Sequence, residues 1–398
     1  NGHGTWDNGH GTWDNGHGTW DNGHGTMDNG HGTWDNGHGT WDNGHGTWDN
    51  GHGTLDIEKY PMSKDDRAIP ISIVICARNE SDRLQEYLSE VLQQDYPDFE
   101  VIVVDDNSTD NTADVLRRLL EEFPERLRLF NVEQKTQPGK KQALSLGIHA
   151  ARHECLVFTD ADCRPASRNW LLHLAAPFSE KKTEIVLGYG PLLPAPGLLN
   201  RWARFETTMV ALQYFSLARA GRPYMGVGRN LAWRRPLFER AGGFEAHRDL
   251  ASGDDDLLVN AVARPDNTAC CVHLEAWTWS VAPDSWRGWL RQKHRHLSAG
   301  WRYRRSDQFI LSATGMSHAG FYALCLTLLL SGHWAMPLGA YALRAAIVWP
   351  VFSRVARRLG MPDLWLWWPV LDMGWAGYQG VGVPFFLGWG SIKSAAWK

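Results

Sequence analysis

Cysteine is scarce in this chain, six in 398 residues, and no two stand as Cys-x-x-Cys. A disulfide scaffold and a zinc knot are thereby excluded, and thiols inside apolar runs suit a reducing compartment. The first 56 residues contain no Lys and no Arg. They are eight copies of Asn-Gly-His-Gly-Thr-Trp-Asp, with Met27 and Leu55 replacing Trp in two of them. The repeat contributes eight Asp, so the formal net charge of −4 becomes +4 over residues 57–398. That mild basicity suits an anionic membrane surface or a phosphorylated donor and is too weak to indicate nucleic acid. With two glycines and one large apolar residue per copy, a single repeat cannot offset the entropy of ordering. Residues 1–56 are therefore expected to be disordered, and residues 57–69 a linker. No Met opens the chain and no signal-peptide pattern follows it. The sequence reads as a fragment or an unusual reading frame, with any upstream anchor lying outside it.

From Pro70 the texture changes. Ile71-Ser72-Ile73-Val74-Ile75-Cys76 is an apolar run that predicts a buried parallel strand, and Leu84, Tyr87, Leu88 and Val91 recur at helical spacing over 81–94. Strand and helix then alternate: strands over 101–104, 127–132 and 155–158, helices over 109–122 and 140–151. This predicts a doubly wound α/β sheet, whose ligands sit at the carboxyl ends of the strands. Each chemical motif falls at such an end. Ala77-Arg78-Asn79-Glu80 follows the first strand, Asp105-Asp106-Asn107-Ser108 the second, and Asp160-Ala161-Asp162 the fourth. Any one of them is ordinary turn and helix-cap chemistry. Three together imply one polar crevice.

The ordered series Pro70–Glu80, Val103–Thr109, Pro138–Gly147, Thr159–Asp162, Gly226–Arg235, Gly242-Gly243-Phe244, Ser252–Leu257 and Gln292–His296 resembles that of family 2 glycosyltransferases with the GT-A fold. The likeness spans about residues 70–300 and is nearest to the membrane-bound bacterial members. It implies a nucleotide-sugar-binding domain over 70–305. Ala77, Arg78, Glu80 and Asp106 would line the nucleotide pocket, with Lys140, in a Gly-Lys-x-x-Ala-Leu segment, and Asp160 also on the donor. Two solvated lysines opening a helix are the alternative for Lys140 and Lys141. Asp160 and Asp162 correspond to the Asp-x-Asp motif that holds Mg2+ or Mn2+ on the donor diphosphate, for which hard carboxylate oxygens are suited. Asp254 aligns with the family's general base, and one base with in-line displacement implies inversion. Gly253 stands where the family usually has Glu, so Asp255 is a rival for that role, and an Asp-rich helix start is the structural alternative. Gln292, Arg295 and His296 resemble Gln-x-x-Arg-Trp and would serve the acceptor or diphosphate. His296 in place of Trp removes a sugar-stacking surface and weakens the case for a polymer channel. Trp286 and Trp289 read as membrane-interface or core anchors rather than sugar platforms.

After a run of Arg and Lys ending at Arg305, residues 308–343 contain no charged side chain of either sign. That is enough for one membrane span of about 20 residues and nearly two. Arg344 and Asp372 interrupt the later apolar stretches, so residues 306–398 are expected to form transmembrane or interfacial helices. The basic groups ending at Arg305 and at Arg354, Arg357 and Arg358 favour the cytoplasmic side for both, with a crossing and return between them. The expectation is a multi-pass protein of the inner membrane with its catalytic domain in the cytoplasm. The activity the resemblance implies is that of an inverting, metal-dependent glycosyltransferase using a nucleoside-diphosphate sugar and a lipid-linked or saccharide acceptor. The alternatives are a processive polysaccharide synthase and an inactive GT-A scaffold used for binding.

Overall fold

The computed structural model describes residues 69–384 with their side chains, and the backbone of seven short strands within the repeat. The expected linker, apart from Ile69, and the tail with Lys393 and Lys398 lie outside the described residues. The chain divides into two units, Asn1–Lys59 and Tyr60–Lys398.

In the first unit each strand, from His3–Asp7 to His45–Asp49, pairs in parallel with the strand two copies away. Identical residues face each other, His3 with His17 and Trp6 with Trp20, so alternate copies build two separate sheets. The seven strands lie between residues 3 and 49 of the repeat. A single copy has too little to bury, but identical neighbours share one register, and pairing accumulates along the array.

In the second unit β1 (Ile71–Ala77) and β2 (Phe99–Asp105) are buried along their whole length. They lie between β3 (Leu127–Asn131) and β4 (Cys155–Phe158) in the parallel order β3-β2-β1-β4. The connecting helices are α1 (Ser81–Leu92), α2 (Thr112–Glu122) and α3 (Lys141–Ala150). Alternation along β1 divides its side chains between two cores. Ile71, Ile73 and Ile75 pack with Leu84, Leu88, Val115 and Leu116, whereas Val74 and Cys76 pack with Ala143, Leu144 and Ile148. Gly147 allows α3 onto the sheet, since a Cβ there would lie 2.6 Å from Val74 Cγ1. Helix α2 begins three residues later than the spacing predicts. The intervening backbone is bonded to local side chains, as when Thr112 N donates to Asp110 Oδ1 at 3.0 Å.

Beyond β4 come β5 (Cys163–Pro165), α4 (Trp170–Ala175), β6 (Ile185–Leu187), α5 (Leu198–Arg219), β7 (Leu231–Arg234), α6 (Arg235–Arg240) and α7 (Asp256–Val262). They are followed by β8 (Thr268–Cys270), β9 (Thr278–Ser280) and α8 (Trp286–Gly300). Strand β7 runs antiparallel to β4 and extends the sheet through β6 to β8, making it mixed. Strands β5 and β9 form a separate antiparallel pair.

Helices α9 (Arg305–Leu330) and α10 (Ala335–Arg358) are long and apolar enough to cross a membrane. They leave Phe309, Met316, Leu324, Leu330, Leu338, Leu343 and Ile347 exposed, which a soluble core helix would cover. Together with α11 (Leu364–Gly377) they close on a polar cluster. Arg344 contacts both oxygens of Asp372, at 2.5 and 3.1 Å, and Tyr322 Oη donates to Asp372 at 2.6 Å.

Candidate active site

The turns after β1 and β2 are bonded to each other. Asn79 N donates to Ser108 Oγ (2.9 Å) and Thr109 N to Asn79 Oδ1 (2.8 Å), while Ser108 N donates to Asp105 Oδ1 (3.0 Å). Asn79 and Asn107 both adopt left-handed backbone, φ 55° and 60°, a conformation Asn tolerates better than most residues. Ala77 accepts Asp106 N at 2.8 Å, and Glu80 begins α1 with its carbonyl on Leu84 N. Asp106 is fully buried. One of its oxygens meets Lys135, while among the described residues the other has no hydrogen-bond partner, and neither does the buried Arg78 Nε. A buried polar atom left unpaired costs about 1–3 kcal/mol.

The two acidic clusters meet at Lys140. Its ammonium lies 2.9 Å from Asp160 Oδ1 and 3.1 Å from Asp254 Oδ2. Burial alone would raise the Asp160 carboxyl; Lys140, Arg229 and Arg295 outweigh it and hold the group below the usual carboxylate range. Burial likewise opposes the charge on Lys140, and Asp160, Asp254 and Asp255 more than compensate, raising its pKa well above the ordinary value. Lys141 is not a solvated lysine. It is fully buried and donates to three backbone carbonyls, of His247 (2.7 Å), Leu250 (2.7 Å) and Ser252 (2.6 Å). The loop leading to Asp254 is thus fastened to the start of α3. Gly139 secures the same junction, because at φ 70° a Cβ would lie 2.1 Å from the Ala251 carbonyl oxygen.

The three consecutive aspartates have different surroundings. Asp255 accepts from Gly228 N (2.6 Å) and, as the N-cap of α7, from Asp256 N (2.8 Å), so both its oxygens serve the backbone. Asp256 accepts from Tyr303 Oη at 2.6 Å, and burial followed by Asp255 pushes its carboxyl up to about 8. Asp254 is buried and faces the same cavity as Asp160, Lys140 and Gly228. Gly253 has φ 88°, and a Cβ on it would lie 2.4 Å from Leu257 Cδ1. That backbone favours a glycine at this position.

Asp160, Asp162 and Cys163 present ligand atoms within 4.8 Å of one another. Burial, then Asp162 and Asp160, push the Cys163 thiol well above its ordinary pKa, so it remains a neutral thiol. The usable donors are two carboxylates, which fit a hard divalent cation. Helix α8 brings Arg295 toward Asp160, with Ser252 Oγ donating to the Arg295 carbonyl at 2.8 Å. Gln292 is half-buried on the same helix and His296 is exposed. The helix is held from behind: Lys293 pairs with Glu206 of α5 at 2.5 Å, and Trp289 is buried against Trp202. Trp286 is exposed.

Sequence reasoning gave no individual role to Arg229 or Lys135. Arg229 donates to Ser280 Oγ at 2.6 Å, and its carbonyl accepts from Thr159 and Thr278. The signal available was the Gly226-x-Gly228-Arg229 spacing at a turn entering β7.

Residues 72–240 match the profile of glycosyl transferase family 2. Those residues carry the family 2 glycosyltransferase domain. A probable glycosyltransferase of Bacillus subtilis, YdaM, is 27% identical over 251 residues, 61% of this chain and 56% of that protein. A poly-β-1,6-N-acetyl-D-glucosamine synthase of Staphylococcus epidermidis is 37% identical over 246 residues, 58% and 54% of the two chains. A β-monoglucosyldiacylglycerol synthase of Nostoc is 30% identical over 212 residues, 52% and 42%. The chain spans about half the length of the curated relatives it matches. Among solved structures, a mannosyltransferase from Pyrobaculum calidifontis in complex with GDP-Man and Mn2+ superposes with a TM-score of 0.53 at 21% identity. The match covers 82% of this chain and 90% of that one, and it shows the GT-A fold.

Proposed function

We propose that this glycosyltransferase moves a sugar from a nucleoside-diphosphate donor to a lipid-linked or saccharide acceptor, with inversion, at the cytoplasmic face of the inner membrane. The observation that carries the reading is the contact of one ammonium, Lys140, with both Asp160 and Asp254. It brings the carboxylates suited to a metal and to a base into one cleft. Asp160 and Asp162 would hold Mg2+ or Mn2+, which would supply charge neutralisation for the leaving diphosphate. Arg229 and Arg295 add positive charge on the same side. Asp106 offers its unpartnered oxygen to an N–H of the nucleobase, and Ala77, Arg78 and Glu80 form the rim of that pocket. Gln292, Arg295 and His296 face the acceptor or the diphosphate.

Asp254 takes the proton of the acceptor hydroxyl as that oxygen bonds to the anomeric carbon. The bond from that carbon to the diphosphate oxygen breaks on the opposite face, so a single displacement inverts the configuration. A base so placed contributes about 10²–10⁴-fold in rate. Asp255 is the weaker candidate, since its oxygens are bonded to backbone N–H groups.

Helices α9 and α10 cross the bilayer in this reading, and Arg305, Arg354, Arg357 and Arg358 remain on the cytoplasmic side. The exposed His296 offers no broad stacking surface, which favours single transfer over a polymer. The test is a screen of nucleotide sugars with isolated membranes, with and without Mg2+ or Mn2+, followed by sizing of the product. Metal-dependent release of nucleoside diphosphate with one sugar added to the acceptor is expected. Absence of transfer from every donor would leave the binding scaffold, and a ladder of products would establish the polymer synthase.

A further inference from the structure

We propose that Lys140 is a built-in competitor for the divalent cation and a mask on the base. It must release Asp160 for the metal to bind, and it frees Asp254 only when the donor's diphosphate draws its ammonium away. This rests on the metal and base roles proposed above.

The ammonium is the direct partner of Asp160 Oδ1 at 2.9 Å, so it occupies one face of a carboxylate that a cation on Asp160 and Asp162 also needs. Two positive charges on one carboxylate repel strongly in a poorly solvated cleft. The second contact, 3.1 Å to Asp254 Oδ2, seats the ammonium on an oxygen of the proposed base and so covers it from an acceptor hydroxyl. Lys140 can therefore exchange partners within the site. Its backbone is pinned, because Gly139 lies against the Ala251 carbonyl and the neighbouring Lys141 is locked onto three carbonyls. Its side chain is a flexible four-carbon stem ending in a point charge, which can swing without moving the helix. Gly228 keeps room for that swing: a Cβ there would stand 3.4 Å from the Lys140 nitrogen and 3.0 Å from Asp255 Oδ2. Arg229 and Arg295 also lower the Asp160 carboxyl, yet among the described residues the ion pair to Asp160 is made by Lys140. The consequence is an order of events. The acceptor hydroxyl meets a competent base only after metal and donor are seated, which limits idle hydrolysis of the donor.

The test is Mn2+ binding to the full chain in detergent, without nucleotide, followed by the electron paramagnetic resonance of free Mn2+. Lys140→Met is expected to bind Mn2+ about tenfold more tightly than wild type, the affinity returning when a competing cation is removed. Lys140→Arg, which keeps the charge, should stay within about threefold of wild type. Arg295→Gln removes the same charge without the ion pair and should tighten binding by less than about threefold. A second measurement uses the unaltered protein: acylation of the Lys140 amine by an amine-reactive reagent, read by mass spectrometry, should accelerate when Mn2+ is added. Unchanged Mn2+ affinity in folded Lys140→Met, or labelling indifferent to Mn2+, overturns the proposal while leaving the metal site standing. Wild type that binds no Mn2+, or Asp162→Asn that binds it equally well, overturns both this proposal and the metal reading.

Discussion

Arg344 and Lys140 both pair with carboxylates, and they are built to opposite ends. Arg344 grips Asp372 with two nitrogens, receives Tyr322 on the same carboxylate, and lies against the rings of Phe321, Tyr322 and Trp368 at 5.4–5.5 Å. A planar fork with aromatic faces around it has one good position. Lys140 makes single contacts to two carboxylates that have other proposed work. A point charge on a flexible stem has several good positions. The first arrangement ties three helices together, and the second is a joint that chemistry can move.

The comparison is tested most severely at the carboxylates themselves. Asp162→Asn, or excess chelator on the unaltered protein, should reduce transfer to background, at least about 10³-fold, without changing the melting temperature in detergent or membrane insertion. Donor turnover and a thermal melt check this together. Next in size, Asp254→Asn should keep donor affinity and lower turnover by about 10² or more, because it preserves volume and removes basicity. Asp255→Asn should lose less than about tenfold, since an amide oxygen can still accept one of the two backbone N–H groups. Should Asp255→Asn be the inactive variant, the base is one residue along from Asp254.

The opposite behaviour is expected in the helical bundle. Asp372→Ala leaves Arg344 unpaired and should cost about 3–5 kcal/mol of stability, while turnover per folded molecule changes little. The double variant Arg344→Leu/Asp372→Leu should regain much of that stability, as buried ion pairs replaced by apolar residues commonly do. Melting temperature and specific activity of the two variants decide whether the cluster is a tie or a participant. The smallest effect concerns the repeat. Deleting residues 1–56 should leave turnover and membrane association within error of wild type, and a large loss of either would give the repeat a role in transfer.

What the sequence determined by itself is whatever local pattern encodes. Apolar runs at Ile71–Cys76 and Val101–Val104 mark strands buried on both faces. The helical spacing of Leu84, Tyr87, Leu88 and Val91 marks a helix with one buried side, and the acidic and Asn-rich groups at the strand ends mark a crevice. The uncharged stretch over 308–343 likewise announces apolar helices. Burial and periodicity follow from a residue and its near neighbours, so they survive in one dimension. Which groups meet across the chain does not. That Lys140 spans Asp160 and Asp254, that Lys141 closes on the loop before Ser252, and that Asp255 spends its oxygens on Gly228 and Asp256 depend on how β4, α3 and the loop before α7 come together. Gly253 looked like a defect in a motif until its φ of 88° showed a backbone that Glu would strain. Strand pairing in the repeat is also collective, because identical copies gain from one another what no single copy shows. Long-range contacts of this kind are set by topology and by competition between buried charges, and only the folded chain brings those partners within reach.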